Sequence, residues 1–166
     1  NFKAVPAALT VLWLAALNND AELEHSGESE ATDTYRVIGD PTEGAMLVAA
    51  AKADKSYLNL KESYPREKEI PFDSERKRMT TIHHVLNPHD EDSSPFHDND
   101  EKRKWHAVAV KGAPDVVLDL CKQYQQADNS PAKMTASMRA QILEANDAMA
   151  KDTLRVIALA YKLSPD

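Results

Sequence analysis

The sequence predicts an α+β fold in which an antiparallel β-sheet is flanked by helices. Four or five stretches have the alternating or β-branched character of strands, and four others carry apolar residues at helical spacing. Links of hairpin length join the central strands, which favours antiparallel pairing. The 166 residues contain no internal repeat and no change of composition that would divide them, so we expect one domain over residues 1–166.

The charge balance and the single cysteine narrow the classes of partner. The chain has 20 Lys and Arg against 27 Asp and Glu, a net charge of -7, which argues against nucleic acid because a phosphate backbone needs a basic face. Cys121 has no second cysteine with which to form an internal disulfide. The apolar run Ala4–Leu17 is too short to span a bilayer, so we expect no membrane insertion. The first residue is not methionine, and we expect a fragment of a longer protein.

The N-terminal part is predicted to begin with a helix over Pro6–Leu17. Its buried face is expected to consist of apolar residues at helical spacing: Val5, Leu9, Leu12 and Ala16. The acidic residues 21–33 are predicted as a solvated loop, and residues 35–38 as a short extended piece.

A second helix is predicted from Asp40 to Lys52. Asp40 can cap its start, Pro41 fits its first position, and Glu43 follows three residues after the cap. Glu43 therefore has two interpretations. It completes a capping box, which the local sequence favours, or its carboxylate accepts a hydrogen bond from an exocyclic amine of a ligand.

Two neighbouring strands are predicted at 67–72 and 79–86, and the residues between them suggest a ligand. Phe72 precedes a charged segment that contains Arg76, Lys77 and Arg78. An aromatic ring beside several cations suits a ligand with a flat face and negative charge, such as a nucleotide. The alternative is a core phenylalanine before a charged turn.

Residues 87–103 are predicted to form a flexible, acidic, solvated loop. They include six carboxylates, two prolines and the histidines His89 and His97. Neither calcium-loop spacing nor a helical histidine pair is present, so we expect no metal site.

The next strand is predicted over 105–111, with Trp105, Ala107, Ala109 and Lys111 on one face. The two alanines are expected to leave a shallow groove that ends at Lys111. A turn at 112–115 leads into a helix over 116–122, whose free N–H groups would favour an anion near Lys111.

The remaining residues are predicted as a polar loop over 123–133, a helix over 134–150 and a strand over 153–162. Thr135 is a candidate helix cap. In the strand, period two places Arg155 and Ile157 on the same face, which suits a ligand with a base and phosphates. An arginine at the rim of the sheet is the alternative.

The sequence lacks the common signatures of catalysis and phosphate binding. Its four glycines make neither a dinucleotide-binding turn nor a P-loop, and no nucleophile elbow or zinc signature is present. We therefore expect no catalytic residue in this chain, and a bound nucleotide would lie against the face of the sheet.

Four segments occur in an order that is typical of a known family: Gly39–Glu43, Phe72–Met79, Lys111–Asp115 and Leu154–Ala160. Together they resemble the motif set of the nucleotide-binding domain of P-type ATPases, the cation pumps that pass through an aspartyl phosphate. The similarity is closest to the type II branch. Residues 17–21 also resemble the Asn-Asp segment that leads into this domain in such pumps.

The resemblance implies a nucleotide site at the matching positions. Phe72 would stack on adenine, Lys111 would lie at the floor of the pocket, and Arg155 would reach toward the phosphates. The other residues of the implied site are Glu43 on the adenine side, Lys77 in the same pocket, Met79 and Ile157 as apolar walls, and Gly112.

The resemblance also implies the function. The domain would bind ATP and deliver its γ-phosphate to an aspartate on a phosphorylation domain, whose Asp-Lys-Thr-Gly-Thr motif is missing from this sequence. We expect the isolated chain to bind ATP without hydrolysing it, with Mg²⁺ held in the full-length pump and not here. The expected partners are ATP and the phosphorylation and actuator domains of the parent chain, on the cytoplasmic side of an integral membrane protein. The alternative is an interaction module that has kept the fold but lost nucleotide binding.

Overall fold

A computed structural model describes residues 5–25, 35–86 and 105–165. The helices are α1 (Pro6–Leu17), α2 (Pro41–Ala53), a 3₁₀ helix (Lys55–Asn59), α3 (Leu60–Ser63), α4 (Pro114–Leu120) and α5 (Ala136–Lys151). The strands are β1 (Glu22–His25), β2 (Tyr35–Ile38), β3 (Arg66–Asp73), β4 (Arg78–His84), β5 (Trp105–Gly112), β6 (Gln123–Gln125), β7 (Pro131–Lys133) and β8 (Ala158–Pro165). The loop predicted over 87–103 lies outside the described residues.

The described strands form one four-stranded sheet and two small hairpins. The sheet has the order β3-β4-β5-β8, and each neighbouring pair is antiparallel. The hairpins are β1-β2 and β6-β7. The predicted α+β class with an antiparallel sheet and flanking helices is therefore confirmed. None of the helices in the described ranges is long and apolar enough to cross a membrane.

The core lies between α1 and one face of the four-stranded sheet. Trp13 is fully buried and packs edge-to-face on Tyr64, with ring centroids 5.1 Å apart. The predicted bounds of α1 are confirmed, but its predicted buried face is only partly correct: Leu12 and Ala16 pack against the core, whereas Val5 is exposed. The residues that α1 buries are Thr10, Trp13, Leu14, Ala15 and Leu17. Because nearly every position of this helix is apolar, its periodicity does not select the face that meets the sheet.

The predicted groove beside Lys111 is also wrong. Ala107 and Ala109 are buried in the core cluster, together with residues of α1. Their small side chains let the helix approach the strand so closely that the Asn18 side chain donates a hydrogen bond to the carbonyl of Ala109 at 2.9 Å. The alanines therefore form a packed surface instead of an open ligand groove.

Three further segments differ from the prediction. The acidic stretch after α1 contains β1, and the polar segment 123–133 contains the β6-β7 hairpin. The last strand begins at Ala158, because α5 ends in a turn in which Thr153 has a positive φ of 60°. Residues 154–157 lead from that turn to the sheet, so Arg155 and Ile157 do not lie on a strand.

Candidate functional site

The best-defined polar cluster is an ion pair between Lys111 on β5 and Glu43 on α2. Lys111 Nζ lies 2.5 Å from Glu43 Oε1 and donates to the carbonyl of Asn18 at 2.7 Å. The backbone N–H of Asp20 donates to Glu43 Oε2 at 2.7 Å. The Lys111 and Glu43 side chains are only 8% and 15% exposed, so water screens this pair little.

This pairing corrects two predictions. The Glu43 carboxylate does not complete a capping box, since it is directed at Lys111 and Asp20. The Lys111 ammonium is directed at α2 and the end of α1, and not at the start of α4. Each side chain therefore meets a partner from a distant part of the chain.

The start of α2 places Glu43. Asp40 caps the helix, and its Oδ1 accepts hydrogen bonds from the N–H groups of Thr42 and Glu43 at 2.8 and 3.2 Å. These bonds, the one from Glu43 first, hold the pKa of the Asp40 carboxyl below its usual value. Pro41 occupies the first turn. The predicted cap is thus confirmed, and it fixes the turn that carries both Thr42 and Glu43.

Phe72 lies at a β-bulge on the edge strand β3. Ile70 pairs with Thr80 and Asp73 pairs with Arg78, so Pro71 and Phe72 together stand opposite Met79. A proline is tolerated there because an edge strand at a bulge needs no N–H donor. The Phe72 side chain is not a core residue, since the residue is 61% exposed.

The turn after Phe72 brings Lys77 against Gly112. Asp73 Oδ1 accepts from the N–H groups of Arg76 and Glu75, and these bonds, the Arg76 bond first, lower the pKa of its carboxyl. Lys77 adopts a positive φ of 49°, and its carbonyl accepts from the N–H of Ala113. A Cβ on Gly112 would lie 2.4 Å from that carbonyl oxygen, so this position has room only for glycine.

The register of the strands places Phe72, Met79 and Lys111 side by side on three neighbouring strands. Met79 is buried and is the cross-strand partner of Lys111. Because Phe72 stands opposite Met79 on the other side, the order across the sheet is Phe72, Met79, Lys111, with Glu43 contacting Lys111 from α2.

Arg155 and Ile157 do not lie on the side of α2 where Glu43 contacts Lys111. Arg155 donates to Thr42 Oγ1 at 3.1 Å, one residue from Glu43. Both side chains line a surface recess of about 550 Å³ between α1, α2 and the start of β8, whose lining does not include Phe72 or Lys111. The first turn of α2 therefore contacts both cations, Lys111 through Glu43 and Arg155 through Thr42.

Metal ligands do not cluster in the described part of the chain: there, no three His, Cys, Asp or Glu side chains could hold an ion. The histidines His89 and His97, for which no metal site was predicted, lie outside that part.

Residues 17–21 match the family resemblance, but sequence reasoning assigned Asn18, Asn19 and Arg66 no role at the Lys111–Glu43 pair. Asn18 and Asn19 are buried at the end of α1, and Arg66 on β3 contacts the same turn. The available signal was the pair of adjacent asparagines after an apolar helix, because a buried amide needs hydrogen-bond partners.

Comparisons with known proteins agree with this architecture. A model of the family described as P-type ATPase, cytoplasmic domain N, matches residues 9–166. Calcium-transporting ATPase lmo0841 of Listeria monocytogenes is 32% identical over 155 residues, which cover 93% of this chain and 15% of that protein. Cation-transporting ATPase pma1 of Synechocystis sp. is 34% identical over 157 residues, or 95% of this chain and 14% of that protein.

The probable cation-transporting ATPase F of Mycobacterium tuberculosis is 35% identical over 147 residues, which cover 89% of this chain and 14% of that protein. The chain thus spans 14–15% of the length of these relatives. The family match runs from within α1 to the end of the sequence. The chain belongs to the family of the cytoplasmic N domain of P-type ATPases.

Proposed function

We propose that this chain binds ATP on the face of the sheet that carries Phe72 and Lys111. The observation that supports the proposal most is the exposed ring of Phe72, which stands opposite Met79 and is followed across the sheet by the buried Lys111–Glu43 pair. A large aromatic side chain that is 61% exposed on a bulge has apolar surface available for a flat ligand.

Each residue of the proposed site has a separate role. Phe72 stacks on the adenine, since a base offers a π-face to an aromatic side chain. Met79 is buried on the neighbouring strand and fills the space beneath the site, and the Lys111–Glu43 ion pair supplies the polar groups at its floor. Lys77 carries a charge that attracts the phosphates from the rim, and Gly112 keeps the backbone close behind Lys77. Arg155 and Ile157 line the recess on the other side of α2, so we propose that Arg155 acts through its hydrogen bond to Thr42, next to Glu43.

The proposed affinity is modest. Stacking contributes about 1–3 kcal/mol, and the exposed cations add attraction that salt screens. We expect a Kd between about 1 mM and a few hundred micromolar, equivalent to about -4 to -5 kcal/mol.

Within a parent pump, we propose that the domain holds ATP while the γ-phosphate is passed to an aspartate on the phosphorylation domain. The relatives are named as calcium- or cation-transporting ATPases, and this supports ATP hydrolysis coupled to cation transport for the parent protein. The partners would be ATP and the phosphorylation and actuator domains of the same chain, with this domain on the cytoplasmic side of the membrane. Catalysis would then rest on positioning and in-line geometry.

We further propose that the isolated chain binds ATP without turnover and that Mg²⁺ belongs to the complete pump. Mg²⁺ prefers oxygen ligands from carboxylates and phosphates. The carboxylate nearest the proposed floor, Glu43, already pairs with Lys111. Mg²⁺ should therefore tighten ATP binding to this chain by less than about tenfold.

Calorimetric titration with ATP tests the proposal, with Phe72→Ala and Ile70→Ala as matched variants. Both residues are exposed apolar positions on β3, but Ile70 pairs with Thr80, on the face opposite Met79. We expect Phe72→Ala to weaken binding by about tenfold or more and Ile70→Ala to leave it within about twofold. Equal effects of the two substitutions would refute the proposed stacking.

A further inference from the structure

The turn formed by Asn18, Asn19 and Asp20 contacts both members of the Lys111–Glu43 pair. The carbonyl of Asn18 accepts from Lys111 Nζ, and the N–H of Asp20 donates to Glu43 Oε2. The Asn19 side chain donates to the carbonyl of Glu43 at 2.9 Å. Two of these three contacts come from the backbone of the turn, so the position of the turn sets the position of the pair.

Each asparagine anchors the turn to the core. Asn18 is 0% exposed, and its Nδ2 donates to the carbonyl of Ala109 on β5 at 2.9 Å. The Asn19 side chain donates to Ala15 on α1 and accepts from the N–H of Ala21. Burying an amide costs free energy unless it is hydrogen-bonded. The Asn18 bond ties the end of α1 to the strand that carries Lys111, and the Asn19 bond to Ala15 holds the turn to α1.

Arg66, on the strand that carries Phe72, binds the same turn through an ion pair and a hydrogen bond. Its Nη1 lies 2.5 Å from Asp20 Oδ1, and its Nη2 donates to the carbonyl of Asn19 at 2.8 Å. Nη1 also donates to Glu69 Oε2 on β3 at 2.7 Å. The planar guanidinium holds two groups of the turn at once, and its side chain is only 25% exposed.

We propose that the Asn18–Asp20 turn, held to β3 by Arg66, is a positioning element that sets the geometry of Lys111 and Glu43 for nucleotide binding. None of these residues belongs to the site implied by the family resemblance, and all act through the pair. The inference rests on the proposed function, since it assigns the turn a role in ATP binding.

The test compares Arg66→Met with the control Lys61→Met. Lys61 forms an ion pair with Glu22, but both side chains are largely exposed, at 76% and 66%. The first readout is the NMR signal of the Lys111 ammonium without nucleotide. We expect Arg66→Met to shift or broaden it and Lys61→Met to leave it unchanged.

The second readout is ATP affinity in two backgrounds. Arg66→Met should weaken binding about threefold to tenfold in the wild-type chain, as expected for residues that share a hydrogen-bond network. In a Glu43→Gln background the same substitution should weaken it by less than about twofold, because the pair is already disrupted. A purely structural role would give equal losses in both backgrounds.

Asp20→Ala provides a second variant if Arg66→Met lowers stability too far. It removes the carboxylate bound by Arg66 and leaves the N–H that contacts Glu43. We therefore expect a smaller change in the Lys111 ammonium signal and a smaller loss of ATP affinity than in Arg66→Met. An unchanged Lys111 signal in both variants, or equal losses of affinity in the two backgrounds, would overturn the inference. Failure of the wild-type chain to bind ATP would instead refute the proposed function, and the ammonium signal would still show whether the turn controls the pair.

Discussion

Replacement of Lys111 by methionine should destabilise the domain strongly. The substitution keeps the length of the side chain but leaves the Glu43 carboxylate without its cation and the Asn18 carbonyl without its donor. Removing one partner of a buried pair typically costs about 3–5 kcal/mol. Because Glu43 keeps the N–H of Asp20 and some contact with water, we expect the lower limit, about 3 kcal/mol in the free energy of unfolding.

Urea unfolding of four chains measures this effect: wild type, Lys111→Met, Glu43→Gln and the double variant. Neutralising Glu43 removes the uncompensated charge, so the double variant should recover about 2 kcal/mol relative to the sum of the single changes. The exposed pair Lys61–Glu22 serves as the control, and Lys61→Met should cost less than about 1 kcal/mol. Additive effects of the Lys111 and Glu43 substitutions would refute a coupled, buried pair.

Three other predictions concern stability. Burial lowers the pKa of His83 to about 4, whereas the histidine of the unfolded chain should titrate near 6.5. The folded state therefore loses up to about 3 kcal/mol of stability as the pH falls from 6.5 to 4. Urea unfolding of His83→Leu at several pH values should lack that part of the pH dependence. Gly112→Ala should cost more than about 2 kcal/mol by thermal unfolding, because its Cβ would meet the backbone of Lys77, and an unchanged midpoint would contradict the geometry. Thr135→Ala should lower the free energy of unfolding by about 1 kcal/mol, since the Thr135 side chain caps α5 by accepting from the N–H of Met138. Urea unfolding followed by circular dichroism measures this loss, and an unchanged free energy would contradict the capping role.

The start of α1 and the caps of α2 and α5 were the most predictable features of the helices, whereas α4 begins at Pro114, two residues before its predicted start. The bounds of α1 and the caps of α2 and α5 follow from local chemistry, since Asp40 and Thr135 each bond to N–H groups two or three residues away. The class of the sheet was likewise predictable from alternation and short connections. The face that α1 buries was not, because a helix that is apolar on every side carries no periodic signal.

The contacts of the candidate site could not be predicted from local sequence. Glu43 and Lys111 are 68 residues apart, and no local pattern shows that one is the partner of the other. The cap at Asp40 made a capping role for Glu43 reasonable, but the tertiary contact with Lys111 determines where the carboxylate lies. Phe72 was identified from the cations that follow it, whereas its exposure depends on the bulge opposite Met79.

Arg155 shows how a shift in an element boundary changes an argument about a site. The strand was predicted from Thr153, but the turn that ends α5 extends through Thr153, with N–H groups of residues 153 and 154 bonded to carbonyls of the helix. The alternation that placed Arg155 beside Ile157 therefore does not apply. Their common location in the recess at α2 arises from packing against that helix.

ATP titration followed by backbone amide NMR, with the wild-type chain and Phe72→Ala, tests the proposed binding most directly. We predict that millimolar ATP shifts the resonances around Phe72, Met79 and Lys111 together, and that Phe72→Ala abolishes these shifts while its spectrum without nucleotide remains that of a folded domain. The exposed position of Phe72 makes the substitution tolerable for the fold. Unchanged wild-type resonances at millimolar ATP, or shifts that survive in Phe72→Ala, would contradict the account.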